Sequence, residues 1–433
     1  MRRVALALLL LGLACAAGAL GADPVPAGGP GGEVTLRRHV ERLCAPEMAG
    51  RGGWEQRERA AAYVAAELAA LGMVPLPGQA SMAVDFGGSA GAPRGRNVCA
   101  WWPAPPPPGD PLPQYVLLSA HYDHLGVRDG ITYPGADDNA SGVAVMLEVV
   151  RALVEREQRV SRTAPLPRAL CVVAFDLEEQ RLEGSRAFVA QPPVPLERCA
   201  LFLTLDQMGR SLADLVPGTL FLMGSEHCAW LDAWLDAAEA PAGLSKARLG
   251  IDFQPPTGYS DYVPFQEREV PFLFVTTGAC AHYHRPEDVP GRLDWASMER
   301  HALFVRSLVS AALEAPERPA WRAGAEPRLE EIATVRRIAG AAGPRLEELK
   351  VEGPVRLALA GFVKHLDGLL AKGRVTPAER ASVTGTARML FTQAVALLGR
   401  VPARTAAPAA PGAPGVPVAP VAPRDGDAGD PVR

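Results

Sequence analysis

The stretch Ser119-Ala-His-Tyr-Asp-His-Leu-Gly126, followed by Gly135-Ala-Asp-Asp-Asn-Ala-Ser-Gly142, has the residue types of one half of a two-metal hydrolase site. The other half is also present. Phe175-Asp-Leu-Glu-Glu179, Leu203-Thr-Leu-Asp206 and Ala281-His-Tyr-His284 each place oxygen or imidazole donors beside an apolar run that reads as a β-strand. Two divalent ions a few ångströms apart need a ligand that belongs to both, and a carboxylate serves because its two oxygens can bind different ions. Asp137 is the expected bridge. His121 and His284 each complete one shell, and Glu179 and Asp206 supply the remaining oxygens. Mixed nitrogen and oxygen ligation without sulfur suits two Zn2+ ions, with cobalt or manganese as substitutes.

Neighbouring residues take supporting roles. Asp123, two positions after His121, is placed to hold that imidazole's other ring nitrogen. Glu178, beside a ligand carboxylate, is expected to act as general base and then as acid toward the leaving amine. The Asp137–Asp138 pair is expected to include a strained peptide bond that aims the bridge. Tyr283 could offer its hydroxyl to the tetrahedral oxyanion. Taken singly, H-x-D is weak evidence and Glu178-Glu179 reads as a charged helix start; together, in order and on strand ends, they define a site. His124 reads as a surface-loop histidine, with a place lining the cleft as the alternative, and His282 as a neighbour of a ligand loop. Trp230 and Trp234, four residues apart, read as the core face of a helix.

Helical spacing is expected over Val34–Cys44 and Glu55–Leu71. Strands are expected at Arg96–Trp102, Tyr115–Ala120, Ala169–Phe175, Ala200–Leu205, Thr219–Met223 and Pro271–Thr276, with helices at Ala140–Arg156 and Trp295–Glu314. Pro103–Pro113 reads as a surface loop. The alternation predicts an α/β fold, with a mostly parallel central sheet and helices on both faces. In such sheets ligands bind beyond the carboxyl ends of strands, where His121, Glu178, Glu179 and Asp206 are expected to lie. Residues 327–400 read as a C-terminal helical module, opened in its last helix by the capping box Thr376-Pro-Ala-Glu379.

The segments resemble the family of secreted dinuclear zinc aminopeptidases, related to glutamate carboxypeptidase II, glutaminyl cyclase and the transferrin receptor. The resemblance is carried by His121-Tyr-Asp123, Gly135–Gly142, Glu178-Glu179 with Gly184-Ser185, Thr204-Leu-Asp206, Ser260-Asp-Tyr-Val-Pro-Phe265 and Tyr283-His-Arg-Pro-Glu-Asp288, and it includes Pro46-Glu-Met-Ala-Gly-Arg51. It spans roughly residues 34–314 and implies a zinc exopeptidase-like fold, two zinc ions, and attack on a peptide carbonyl by water activated between them. Thr204, Arg181, Tyr262 and Arg285 depart from the family pattern at positions expected to border the cleft.

Composition is compatible with this. The 433 residues are 48% hydrophobic and 21% charged, which is globular, and a net charge of -4 offers no basic stripe for a nucleic-acid backbone or an anionic membrane. Arg2-Arg3, the apolar run Val4–Ala14 and the small residues up to Ala22 have the layout of a signal peptide over 1–22, so the expected location is secreted or periplasmic. A lipid anchor at Cys15 is the rival, disfavoured by Gly12 where an aliphatic residue is usual. No membrane span is expected. Residues 23–32 read as a linker, 33–316 as the peptidase domain, and 401–433 as a disordered Pro/Ala-rich tail. Loss of Cys15 with the leader leaves six of the seven cysteines, which permits disulfides without specifying any.

The expected function is therefore an exported, metal-dependent aminopeptidase acting on peptide substrates. A carboxypeptidase of the same fold, a glutaminyl cyclase and a non-enzymatic binding homologue are the rivals. The last two are disfavoured because both metal shells have a full set of ligands. Oligomeric state is not legible.

Overall fold

Tyr115–Ala120, Ala169–Phe175 and Ala200–Leu205 are almost wholly apolar, and strands of that kind persist only where both faces are covered. The computed structural model describes residues 32–398 apart from 89–93, 103–111, 161–164, 256–258, 316, 318, 325–326 and 352. The expected leader and linker (apart from residue 32), the tail, and the Pro-rich loop up to residue 111 lie outside the described residues.

Helices α1 (Gly32–Leu43) and α2 (Trp54–Ala70) precede strands β1 (Val74–Pro75), β2 (Ala83–Phe86), β3 (Gly95–Trp102) and β4 (Gln114–His121), then a small hairpin of β5 (Gly126–Arg128) and β6 (Ile131–Tyr133). The chain continues through α3 (Gly142–Arg159), β7 (Arg168–Phe175), α4 (Glu183–Ala190), β8 (Cys199–Asp206), β9 (Thr219–Met223), α5 (Ala229–Ala237) and β10 (Ser245–Leu249). It then forms α6 (Tyr262–Gln266), β11 (Phe272–Thr276), α7 (Trp295–Glu314), α8 (Leu329–Glu348), α9 (Gly353–Lys372) and α10 (Pro377–Leu398). The main sheet runs β1-β3-β7-β4-β8-β11-β9-β10, with β2 paired to β3. Its centre, β7-β4-β8-β11, is parallel, while β3 and β9 run antiparallel to their inner neighbours. The fold is the expected α/β arrangement.

Alternation along each central strand divides the core in two. Val116, Leu118 and Ala120 of β4 point with Leu203 and Leu205 of β8 into the layer beneath α1, α3 and α7. Tyr115 and Leu117 point the other way with Phe175, Phe202 and Phe272, where α4, α6 and the C-terminal helices pack. Phe202 and Phe265 stack at 3.9 Å between ring centroids. Trp234 packs beside Phe304, 5.8 Å away. The six cysteines from Cys44 to Cys280 are free thiols, and none of the described helices is long and apolar enough to cross a membrane.

Because β7 and β8 lie on opposite sides of β4, the chain reverses its direction of travel across the sheet at the carboxyl end of β4. The crossover connections diverge there and leave a crevice. Arg51 braces that end. It is fully buried, and its guanidinium donates to four backbone carbonyls: Tyr122 (2.7 Å), Leu43 (2.8 Å), Pro134 (2.7 Å) and Gly135 (2.8 Å). The planar fork reaches four directions at once, which an ammonium cannot.

The capping box at the start of α10 is formed in both directions, Thr376 N–H donating to Glu379 Oε2 (2.9 Å) and Glu379 N–H to Thr376 Oγ1 (3.3 Å). Arg51→Lys, which keeps the charge but strands buried carbonyls, should lower unfolding free energy by about 2–4 kcal/mol in denaturant titration.

Candidate metal centre

Five segments deliver side chains to the crevice. His121 ends β4, Glu178 and Glu179 follow β7, Asp206 ends β8, His284 follows β11, and Asp138 comes from the turn before α3. His121 Nε2 lies 3.3 Å from Asp138 Oδ1 and 3.4 Å from Asp206 Oδ1. His284 Nε2 lies 3.1 Å from both Asp138 Oδ2 and Glu179 Oε2. The two oxygens of Asp138 thus face two different imidazoles.

This geometry corrects the expected bridge. Asp137 points away, its Oδ1 accepting the Gly209 N–H (2.8 Å) and lying 3.3 Å from the Ser141 hydroxyl. The reason is local. Asp288 accepts the N–H groups of both Asp137 (2.8 Å) and Asp138 (3.1 Å), pinning the backbone so that the two side chains diverge. The peptide bond after Asp138 is cis. Titration tendencies separate the pair too. Burial, with Asp288 nearby, pushes the Asp137 carboxyl well up, whereas His121 and His284 hold Asp138 well below the usual range although burial opposes them.

Asp123 sits behind His121, whose Nδ1 is 3.3 Å from the Asp123 carbonyl and 3.5 Å from its Oδ1. The same carboxylate accepts the N–H groups of Glu178 (3.0 Å) and Glu179 (3.3 Å). One side chain therefore holds an imidazole and the glutamate turn together, a broader task than the sequence suggested. Desolvation raises the Glu178 carboxyl well above its ordinary value; Asp206, Asp261 and Glu179 add to this, and His121 opposes it. Tyr283 stacks on His284 at 3.8 Å, and burial with Asp138 and Glu179 nearby keeps its phenol protonated.

His124 is not a surface residue. It is buried, with Nδ1 2.9 Å from Glu179 Oε1 and 3.8 Å from Asp138 Oδ2. Gly135, at φ +62°, makes this possible, since a Cβ there would stand 2.5 Å from the His124 ring. The position was visible only as a second histidine three residues after His121. Asp261 was likewise passed over as a site residue; its carboxylate is buried and pushed up to about 7 by that burial. Among the four departures, Arg181 does line the crevice. Tyr262 and Thr204 are buried, Tyr262 stacking on Phe272 at 5.3 Å, so both serve the core.

A cation fits these residues. His121 Nε2, Asp206 Oδ1, His124 Nδ1 and Glu179 Oε1 are buried without hydrogen-bond partners, although each lies within 3.5 Å of another donor atom in the cluster. Groups that approach closely without forming a hydrogen bond, and that aim at a shared point, are arranged as ligands. Two such groupings stand side by side: His121 and Asp206 with Glu178, and Glu179 and Asp138 with His124.

The crevice opens into a pocket of about 600 Å³ lined by Asp138, Glu178, Glu179, Asp206, Tyr283 and His284 on its polar side. A switch-point crevice with paired imidazole and carboxylate donors is an arrangement suited to metal-dependent hydrolysis. Residues 97–309 match the model of Peptidase family M28. Aminopeptidase YwaD of Bacillus subtilis is 29% identical over 219 residues, covering 48% of this chain and 43% of YwaD. The uncharacterized protein YfbL of Escherichia coli is 28% identical over 214 residues, covering 42% of this chain and 62% of YfbL. The chain thus spans less than two thirds of either relative. LapB from Legionella pneumophila superposes with a TM-score of 0.50 at 18% identity, over 65% of this chain and 72% of that one, a likeness of fold.

Asp138→Ala should abolish zinc retention after gel filtration, measured by elemental analysis. Asp137→Ala should keep the metal and instead lower the melting temperature.

Proposed function

We propose that this protein is an exported dinuclear zinc aminopeptidase. The observation that carries the reading is Asp138, whose two oxygens face His121 and His284 at 3.3 and 3.1 Å. His121 and Asp206 would hold one ion, and His284 and Glu179 the other, with Asp138 common to both. Bound there, zinc supplies Lewis acidity that polarises a peptide carbonyl and lowers the pKa of water.

The remaining work falls to the chain. Glu178 lines the pocket and is expected to take the proton from the attacking water and return it to the departing amine; its raised affinity for a proton suits both directions. Asp123 fixes the Glu178 backbone relative to His121 and so keeps base and ligand in register. Tyr283, protonated and on the pocket wall, is the donor for the developing oxyanion. The named relative YwaD supports cleavage at the N-terminal residue, and the leader-like run from Arg2 to Ala22 supports export.

A carboxypeptidase is the second reading, favoured by Arg181 at the pocket, where a guanidinium could meet a substrate carboxylate. Amino-acid amides with a free amine, assayed beside N-acetylated peptides with a free carboxylate, separate the two; the aminopeptidase reading requires hydrolysis of the first set and not the second. Glu178→Gln should reduce kcat by at least about a hundredfold while zinc content stays near that of the wild type. Unchanged turnover in that variant would contradict the assignment of the base.

A further inference from the structure

The pocket beside the metal centre has a second side that the family match does not contain. That match ends at residue 309, yet Phe391 of α10 lines the same pocket as Asp138 and His284, together with Phe253, Leu249 and Leu212. Phe391 is 7% exposed. A helix that only decorated the surface would have no reason to direct a phenylalanine into a space shared with the reacting groups.

The way α10 is tied down concerns the same wall. Arg380, near the start of α10, donates to both oxygens of Asp252 (2.7 and 2.8 Å) and both of Glu331 on α8 (2.6 and 2.8 Å). Its guanidinium also lies over the Phe253 ring, 5.1 Å from the centroid. Glu331 accepts the Gly250 N–H at 2.8 Å, and Arg388, one turn before Phe391, donates to the Gln254 carbonyl at 3.0 Å. Apart from the Arg380–Glu331 fork, which joins α10 to α8, these bonds fasten the C-terminal helices to the 250–254 turn, which follows β10 and itself supplies Phe253 and Gln254 to the pocket. Planar guanidinium–carboxylate forks set position as well as energy.

We infer that the C-terminal helices are part of the substrate site: α10 forms one wall of the side-chain pocket, and Phe391 sets how large an apolar side chain is accepted. The substrate class is peptides whose N-terminal residue carries a large aliphatic or aromatic side chain. Phe253, Leu249 and Leu212 offer that group apolar contact, and Phe391 limits its reach. The inference rests on the peptidase reading above.

The test compares Phe391→Ala and Phe391→Trp in the full chain with the wild type. One arm measures kcat/KM for alanine, leucine, phenylalanine and 2-naphthylalanine amides. The other measures calorimetric affinity for leucine and naphthylalanine hydroxamates, which requires no turnover. Wild type should favour leucine over alanine by at least about tenfold, the discrimination an apolar pocket provides. Phe391→Ala should raise the naphthylalanine-to-leucine ratio about tenfold in both arms, and Phe391→Trp should lower the phenylalanine-to-alanine ratio similarly. Should the Ala variant fail to fold, Phe391→Leu replaces it with the same expected direction. A uniform change across all substrates and probes, or unchanged ratios, would reduce Phe391 to a packing residue and overturn the inference. Shifted affinities without amide hydrolysis by wild type would instead sink the peptidase reading while leaving the wall in place.

Discussion

Five carboxylates, Asp123, Asp138, Glu178, Glu179 and Asp206, meet at one end of a sheet whose interior is otherwise apolar. Such a grouping cannot stand uncompensated, because each buried charge forfeits its hydration and repels the others. The imidazoles answer part of that demand. Its strength shows in His284, which hydrogen bonds donated to Asp138 and Glu179 drive up to about 10 against the opposing effect of burial. Proximity to so many anions calls for more positive charge than three imidazoles carry. The surrounding architecture, from the Asp288 clamp to the Asp123 link, keeps these carboxylates together where separation would be the lower-energy choice for the bare side chains.

Much of the scaffold was legible because the strands speak plainly. Tyr115–Ala120, Ala169–Phe175 and Ala200–Leu205 are buried on both faces, so their apolar runs have clear limits, and the ligand types sit just past those limits. The site was legible at the level of residue type and order for the same reason. What could not be read was direction. Asp137 and Asp138 are identical in type and adjacent, and which one faces the crevice is decided by Asp288, some 150 residues away, through bonds to two backbone N–H groups. His124 presents the same difficulty: its burial depends on a left-handed turn at Gly135 that leaves room for a ring. Tyr262 and Thr204 were expected at the cleft because their motif neighbours are there, but strand and helix periodicity turns them into the core.

The helices after residue 327 read in the sequence as a helical module that holds no cluster of ligand types. Their contribution is shape and placement. Ile332, Val335 and Leu366 join the apolar layer behind β8 and β11, and Arg380 carries an ionic fork to the turn that shapes the pocket. Chemistry-bearing residues announce themselves by type, whereas a residue that limits a pocket is one more phenylalanine until the fold brings it there.

Anomalous diffraction from zinc-loaded crystals at the zinc edge tests the central claim most directly. The account predicts two peaks roughly 3.5–4 Å apart, one within reach of His121 and Asp206, the other of His284 and Glu179, each bonded to one oxygen of Asp138. A single peak, or a pair bridged by Asp137, would contradict it.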